Sequence, residues 1–161
     1  MPADPARAHV LIVDDEPVIL QILSAVFEDE PYRVTTVSNG ADALVLLAEQ
    51  TVDVLLTDKN LPDHNGMDLL AAAKQRDPLT EVILLTGYAS LETALKALEL
   101  GAFDYLVKPL DDVFAIKGKV HRALERRTLA QENIRLLANL KKQNAALESA
   151  LGEARSLQRE L

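Results

Sequence analysis

The feature that most constrains the fold is the alternation of short apolar runs with segments of helical spacing. Five runs rich in aliphatic and β-branched residues occur, at positions 9–13, 33–37, 52–57, 82–86 and 103–107. Most are short and nearly continuous, which is typical of strands covered on both faces. Between these runs apolar residues recur every three or four positions, a spacing that predicts amphipathic helices.

Asparagine and glycine mark the helix ends that this alternation requires. Asn39-Gly40 and Asn65-Gly66 supply turn or capping chemistry before two of the predicted helices, and Gly101 stands where another should stop. Five strands alternating with helices in about 125 residues predict an α/β fold with right-handed crossovers. The expected architecture is a flavodoxin-like, doubly wound, five-stranded parallel sheet of order 2-1-3-4-5.

Composition and charge narrow the classes of function. Hydrophobic residues make up 48% of the chain, cysteine is absent, and no apolar run is long enough to span a membrane. The first residues lack the pattern of a signal peptide, so we expect a cytoplasmic protein. Positions 1–116 hold 20 acidic and 7 basic residues, whereas positions 117–161 hold 5 acidic and 10 basic residues. The acidic part is a poor candidate for binding nucleic acid.

A heptad pattern follows the last predicted helix. One register has a core of Leu137, Leu140, Asn144, Leu147 and Leu151, and it extends to Ala130 and Asn133 at one end and to Ala154, Gln158 and Leu161 at the other. Asn144 at an a position favours a parallel two-stranded coil. We therefore expect a domain at 1–127 and a coiled-coil extension at 128–161 that forms a parallel homodimer through 130–161. A single amphipathic helix folded back on the domain is the alternative.

Polar side chains follow four of the five predicted strands at the point where each strand ends. Asp14 and Asp15 follow the first strand, Asp58 the third, Thr86 the fourth and Lys108 the fifth. Parallel strands place these ends at one edge of the sheet, so three carboxylates, a hydroxyl and an ammonium should converge there. Taken singly, each residue could be an ordinary helix cap, turn residue or exposed tip. The convergence predicts a functional site.

Crowded carboxylates repel one another unless a cation lies among them. Mg²⁺ prefers oxygen ligands of this kind, and with neither cysteine nor histidine at the strand ends zinc is a poor fit. A carboxylate beside a cation and a lysine can also act as a nucleophile and form an aspartyl phosphate. Asp58 is the best candidate because it stands alone at the central strand and precedes the loop KNLPDHNG.

Four stretches of the chain, VLIVDDEP, VDVLLTDKNLPDHNG, VILLTGYAS and FDYLVKP, resemble the motifs of response-regulator receiver domains of bacterial two-component signalling. The resemblance covers about residues 8–127 and is strongest to receivers of the nitrogen-regulator type. It implies phosphorelay signalling in which Asp58 accepts a phosphoryl group from a sensor histidine kinase, a phosphotransfer protein or a small phosphodonor. Such a protein is a phosphoacceptor that catalyses its own phosphotransfer and dephosphorylation, not an enzyme with an external substrate.

The same resemblance implies a role for each site residue. Asp15 would bind Mg²⁺, or Mn²⁺ in its place, together with Asp58 and the main-chain carbonyl of Asn60, while Asp14 would act through a metal-bound water. Thr86 and Lys108 would contact the phosphoryl group.

Two further features are implied by the resemblance. Thr86 and Tyr105 would form the switch that signals phosphorylation to the last helix, and Lys108-Pro109 would be a cis peptide. Glu16 is expected only to cap the first helix. Tyr88, two residues after Thr86, is hypothesised to slow hydrolysis of the phosphoryl group.

Two other functions stay open at this stage. One is an unphosphorylated receiver-like module that binds another protein. The other is an Mg²⁺-dependent aspartyl-phosphate hydrolase, which would need an aspartate two residues after the nucleophile, where this chain has Asn60.

The part of the chain after the domain is too short to be a catalytic or DNA-binding output domain. The basic cluster HRALERR at 121–127 is interpreted as a solvated helix face and not as a site for direct nucleic-acid binding. The helical pattern runs to Leu161, and the sequence leaves open whether the chain is complete or the N-terminal piece of a longer regulator.

Overall fold

A computed structural model describes residues 7–87 and 91–160, in which strands and helices alternate. The strands are β1 (Ala8–Val13), β2 (Tyr32–Val37), β3 (Val54–Asp58), β4 (Glu81–Thr86) and β5 (Asp104–Val107). The helices are α1 (Pro17–Val26), α2 (Gly40–Glu49), α3 (Gly66–Arg76), α4 (Leu91–Glu99) and α5 (Val113–Glu160). Each of the five predicted strands is present, with ends that differ from the apolar runs by one or two residues.

The strands form one parallel sheet of order β2-β1-β3-β4-β5, which confirms the predicted fold class. Successive residues of a strand point to opposite faces, so each inner strand contributes to two cores. Val10 and Ile12 of β1 pack with α1 and α5 on one face, whereas Leu11 and Val13 pack with α2, α3 and α4 on the other. β2 departs from the expected full burial because it is an edge strand, and most of its residues are only half-buried.

The residues predicted to begin or end helices are confirmed at three places. The Asn39 side chain accepts a hydrogen bond from the Asp42 amide at 2.8 Å, and the Asn65 side chain accepts one from the Met67 amide at 2.9 Å. These side chains satisfy amides that have no partner within their helix. Gly101 follows α4 with a φ of 100°, a conformation that favours glycine.

The described chain divides into two compact units after Arg127. In the first unit the inner face of α5 is buried at Ile116, Val120, Ala123 and Arg127. In the second unit the helix is exposed throughout, apart from the half-buried Ala130. Leu161, the last position of the predicted heptads, lies outside the described residues. No helix within 7–87 and 91–160 combines the length and the apolar content needed to cross a membrane.

Candidate functional site

The carboxyl ends of β1 and β3 bring two aspartates side by side. The two strands are neighbours and Val13 is paired with Thr57, so the residues that follow, Asp14 and Asp58, occupy adjacent positions at the edge of the sheet. Both carboxylates are buried, and Asp14 is fully inaccessible. The sequence predicted this juxtaposition from the strand order alone.

A third carboxylate joins these two, and it comes from Glu16. Carboxylate oxygens of Asp14, Glu16 and Asp58 all lie within 4.8 Å of one another, close enough to hold one metal ion. Glu16 is the N-cap residue of α1, as expected, but its side chain makes no capping hydrogen bond and turns to Lys108 instead. Asp15 is exposed, and its part as a direct ligand stays a prediction.

Lys108 lies at the centre of the carboxylates. Its Nζ is 2.9 Å from Asp14 Oδ2, 3.1 Å from Glu16 Oε1 and 3.2 Å from Asp58 Oδ2. Burial lowers the pKa of Lys108, but the three carboxylates outweigh it and hold the pKa above its usual range. The ammonium therefore stays charged and offsets part of the negative charge of the site.

Asp14 is the most deeply buried carboxylate of the site. Burial raises the pKa of its carboxyl, although the Glu16 amide and Lys108 act in the opposite sense. Its Oδ1 accepts a hydrogen bond from the Glu16 amide at 2.9 Å, whereas its buried Oδ2 has the Lys108 ion pair but no well-formed hydrogen bond. A buried carboxylate oxygen with unused acceptor capacity, beside two further carboxylates, fits a hard divalent cation.

The loop between β3 and α3 brings the main chain close to Asp58. The Asn60 amide donates to Asp58 Oδ1 at 3.1 Å, and the Gly66 amide donates to the Lys59 carbonyl at 2.7 Å. A side chain at position 66 would meet the Asp58 carbonyl oxygen at 2.3 Å, so this close approach requires glycine.

Asp63 connects the same loop to α2 through hydrogen bonds that the sequence did not predict. Its two carboxylate oxygens accept hydrogen bonds from the Gly40 and Ala41 amides, each at 2.9 Å. These bonds lower the pKa of Asp63 to about 2. Only the packing of the β3–α3 loop against α2 reveals this partner, since the two segments are 22 and 23 residues apart in the chain.

Thr86 and Tyr105 border one small cavity between α4 and the end of the sheet. Thr86 is buried at the end of β4, and Tyr105 is half-buried on β5. Lys119 lies over the Tyr105 ring at 5.4 Å and donates to the Tyr105 carbonyl at 2.8 Å. The cavity is lined by Lys59, Leu84, Thr86, Thr93, Ala94, Ala97 and Tyr105.

The remaining predicted residues have a mixed outcome. The Lys108-Pro109 peptide bond is cis. Tyr88 lies outside the described residues, so the hypothesis about hydrolysis stays a prediction. The heptad leucines are on the exposed second unit, where Leu137, Leu140, Leu147 and Leu151 are each about half accessible.

A second cluster of charges lies at the opposite edge of the sheet, and it corrects the interpretation of the basic segment at 121–127 at one charged residue, Arg127. The other charged residues of this segment are exposed, as expected of a solvated helix face. Arg127 is only 4% exposed. Its Nε donates to Asp53 at 2.7 Å and its Nη2 donates to Asp77 at 2.9 Å. Asp53 also accepts from the His9 amide at 2.7 Å. The sequence pattern failed here because Arg127 continues the buried stripe of α5, where its charge is paired with acids distant in sequence.

Comparisons with known proteins agree with this geometry. The family model of the response regulator receiver domain matches residues 10–117. The response regulator protein PilR of Pseudomonas aeruginosa is 43% identical over 106 residues, which are 66% of this chain and 24% of the relative. The DNA-binding transcriptional regulator NtrC of Escherichia coli is 36% identical over 154 residues, which are 94% of this chain and 31% of the relative. The chain thus spans about a quarter to a third of the length of these relatives.

Solved structures show the same likeness. The signal receiver domain of a putative Luxo repressor protein from Vibrio parahaemolyticus superposes with a TM-score of 0.74 at 31% identity, and the match covers 78% of this chain and 95% of that one. A response regulator receiver domain protein from Clostridium thermocellum superposes with a TM-score of 0.71 at 34% identity and covers 76% of this chain and 98% of that one.

Proposed function

Because the chain belongs to the family of response regulator receiver domains, which are phosphoacceptor modules of two-component systems, we propose that Asp58 is the residue that accepts the phosphoryl group. The donor would be a sensor histidine kinase or a phosphotransfer protein. The observation that supports Asp58 is its place at the end of the central strand β3, 3.2 Å from the ammonium of Lys108.

The acidic cluster is the site proposed for a divalent cation. Asp15, Asp58 and the carbonyl of Asn60 would bind Mg²⁺, or Mn²⁺ in its place, and Asp14 would hold a bound water. The cation would supply positive charge that offsets the carboxylates and the incoming phosphoryl oxygens. Support for a cation in this place comes from the carboxylate oxygens of Asp14, Glu16 and Asp58, which lie within 4.8 Å of one another, and from the buried Oδ2 of Asp14, which has the Lys108 ion pair but no well-formed hydrogen bond.

Phosphoryl transfer needs little from the protein beyond position and charge. A carboxylate oxygen of Asp58 bonds to phosphorus while the bond from phosphorus to the leaving nitrogen or oxygen breaks, and the electron pair stays with the leaving group. Lys108 would pair with a phosphoryl oxygen once it is released from the carboxylates, and Thr86 would donate a further hydrogen bond. Attack of water on the acyl phosphate would restore the carboxylate.

The switch is proposed to use the cavity beside Thr86. Movement of Thr86 toward the phosphoryl group would open space into which the Tyr105 ring can turn. The cavity that these two residues share supports this, because an aromatic ring can change its rotamer only where atoms are not closely packed. Phosphorylation can shift the equilibrium only through contacts that differ between the two states, and these two side chains supply such contacts.

The second unit is proposed to carry the signal onward as a parallel homodimer through 130–161. α5 includes both the buried stripe of the first unit and the heptads of the second. The exposed leucines of those heptads would be buried against a second copy of the chain. A cytoplasmic location and the absence of direct nucleic-acid binding by this segment stay predictions.

Treatment of the full chain with acetyl phosphate and Mg²⁺, followed by intact-mass measurement, tests the phosphoacceptor. We expect the mass of one phosphoryl group to be added to the wild type and to Asp68→Asn, an exposed acid of α3 used as a control, but not to Asp58→Asn. Equal labelling of the wild type and Asp58→Asn would refute Asp58. If no protein is labelled with this donor or with a purified histidine kinase, the protein-binding alternative replaces the phosphoacceptor.

The dimer is tested separately by the paired substitution Leu140→Asp and Leu147→Asp. Two charges at the centre of the heptads should leave a single chain in sedimentation equilibrium, since like charges would face one another in a buried core. Phosphorylation of Asp58 should be unchanged in this variant. A wild type that sediments as a single chain at high concentration would contradict the dimer.

A further inference from the structure

The second unit carries a wider apolar face than a two-stranded coil can bury. Three rows of residues run along it, each with a spacing of seven. The first row is 130, 137, 144, 151 and 158, the shared row is 133, 140, 147 and 154, and the second row is 129, 136, 143, 150 and 157. Leucines of all three rows are exposed, with Leu137 at 60%, Leu140 at 53% and Leu136 at 49%.

The rows are adjacent on the helix, and the shared row lies between the other two. With about 3.5 residues per turn, neighbouring rows are about 50° apart around the axis. A two-stranded coil has a core of two adjacent rows. The shared row can therefore pair with the first row, which we name the first register, or with the second row, which we name the second register.

The two registers are nearly equal in composition. The first register adds Leu137 and Leu151 to the leucines of the shared row, and it has Asn144 as a buried polar residue. The second register adds Leu129, Leu136 and Leu157, with the polar residue Gln143. Each thus has a leucine-rich core with one central amide, and both include Asn133 of the shared row. The first register also has Gln158 where the second has Leu157, so the two cores differ in apolar burial by one leucine.

Charge does not exclude either register. In a parallel coil the flanking g position of one chain faces the e position of the other, five residues later. No like-charged pair occurs in the first register, where these pairs are 129–134, 136–141, 143–148 and 150–155. The same holds for the second register, where they are 132–137, 139–144, 146–151 and 153–158.

We propose that the second unit forms a homodimeric coil with two accessible registers, related by a rotation of about 50° of each helix, and that phosphorylation of Asp58 changes the balance between them. This inference rests on the parallel homodimer of the proposed function, and in each register the occupant of the apolar face is a second copy of this chain, which buries two of the three rows. A rotation of this kind is a two-state element that a small change within the first unit can bias.

Single cysteines report the register, because the natural chain has none. Ala154→Cys lies in the shared row and should form an interchain disulfide in both registers. Leu151→Cys lies in the core of the first register only, and Ala150→Cys in the core of the second register only. These three positions lie within two helical turns, so they share one local environment along the coil.

Two neighbouring substitutions bias the registers in opposite directions. Asn144→Leu fills the core of the first register, so we expect the disulfide rate of Leu151→Cys to rise and that of Ala150→Cys to fall by at least about threefold each. Gln143→Leu fills the core of the second register and should produce the reverse. The rate for Ala154→Cys should not change with either. Beryllofluoride with Mg²⁺ should change the ratio of the two reporter rates in the otherwise unaltered chain.

The negative results distinguish a failure of the two-register inference from a failure of the proposed dimer on which it rests. If Ala154→Cys does not cross-link and the chain sediments as one copy, the dimer itself is absent. If Ala154→Cys cross-links but Ala150→Cys stays at background even with Gln143→Leu, the dimer stands and the second register does not exist. Three or four chains by sedimentation equilibrium would overturn the inference, since a larger bundle buries all three rows at once. An unchanged ratio with beryllofluoride would overturn its link to phosphorylation.

Discussion

The two edges of the sheet hold charged clusters of opposite design. At the carboxyl edge Asp14, Glu16 and Asp58 share the single ammonium of Lys108. At the amino edge the guanidinium of Arg127 is shared by Asp53 and Asp77, and each of these acids also accepts a hydrogen bond from a backbone amide. Both clusters join residues far apart in the chain, but only the first has more carboxylates than its cation and amides satisfy.

The pKa values of Asp14 and Asp77, one aspartate from each cluster, are shifted in opposite directions. Burial raises the pKa of Asp14, and its partners do not reverse the shift. Burial also raises the pKa of Asp77, but there the Leu79 amide and Arg127 outweigh it and the pKa falls below its usual value. The ionised form of Asp14 is thus disfavoured, whereas that of Asp77 is favoured. Surplus negative charge marks the edge where a cation and a phosphoryl group are expected, while paired charge marks the edge that stabilises the fold.

The largest effect is expected from removing the cation of the amino edge. Arg127→Met keeps an unbranched apolar stem but leaves two carboxylates without their partner. We expect the free energy of unfolding to fall by about 2 to 4 kcal/mol, somewhat below the range for fully buried pairs because Asp53 and Asp77 are partly exposed. Urea titration measures it, and phosphorylation of Asp58 should be unaffected.

Arg122→Met is the matched control for this change. Arg122 lies five residues earlier on the same helix and its side chain is exposed, so its loss should change stability by less than about 1 kcal/mol. Equal effects of the two substitutions would show that the amino edge does not depend on the buried pairs.

Addition of a divalent cation should act on the carboxyl edge alone. A cation that binds only the folded state stabilises it by about 2.7 kcal/mol when its concentration is 100 times the dissociation constant. We expect Mg²⁺ to raise the urea midpoint of the wild type and of Arg127→Met equally, and EDTA to reverse it. Asp58→Asn should lose most of this gain. A gain of the same size in Asp58→Asn would place the cation elsewhere.

Asp14→Asn is expected to stabilise the metal-free protein, by less than the cation stabilises the wild type. A raised pKa means that the folded state holds a proton more tightly than the unfolded state, so stability falls as the pH rises from the ordinary value of 3.8 through the raised one. Above that window the neutral amide should be more stable than the carboxylate by about 0.5 to 2 kcal/mol in EDTA. Asp15→Asn, at the exposed neighbour, should be within about 0.5 kcal/mol of the wild type. Destabilisation by Asp14→Asn in EDTA would remove the distinction between the two edges.

The smallest effect concerns the loop beside the carboxyl edge. The pKa of Asp63 is lowered to about 2, so its contribution to stability is complete above the ordinary value of 3.8 and is lost as the pH falls toward 2. Asp63→Asn should lessen the loss of stability on acidification through this window, whereas Asp68→Asn should retain the wild-type profile. Unfolding by urea at a series of acidic pH values measures both, and coincident profiles for all three proteins would contradict the role of the two amide bonds.

The alternation of apolar runs and helical spacing was enough to predict the parallel sheet and, through the fold class, its strand order. That order also predicted the meeting of Asp14, Asp58 and Lys108, because the carboxyl ends of parallel strands lie at the same edge of a sheet. The caps at Asn39 and Asn65 were also local, since each side chain bonds an amide two or three residues away.

The tertiary structure decided the partners of the charged side chains. Glu16 turns from the helix end to Lys108, 92 residues away, and Asp63 binds amides of α2. Arg127, which belongs to a basic segment in the sequence, is buried between one acid that precedes β3 and one that follows α3. Electrostatic partners across a fold have no periodicity along the chain, so hydrophobic spacing can place an element and its faces but cannot say which distant charge will meet it.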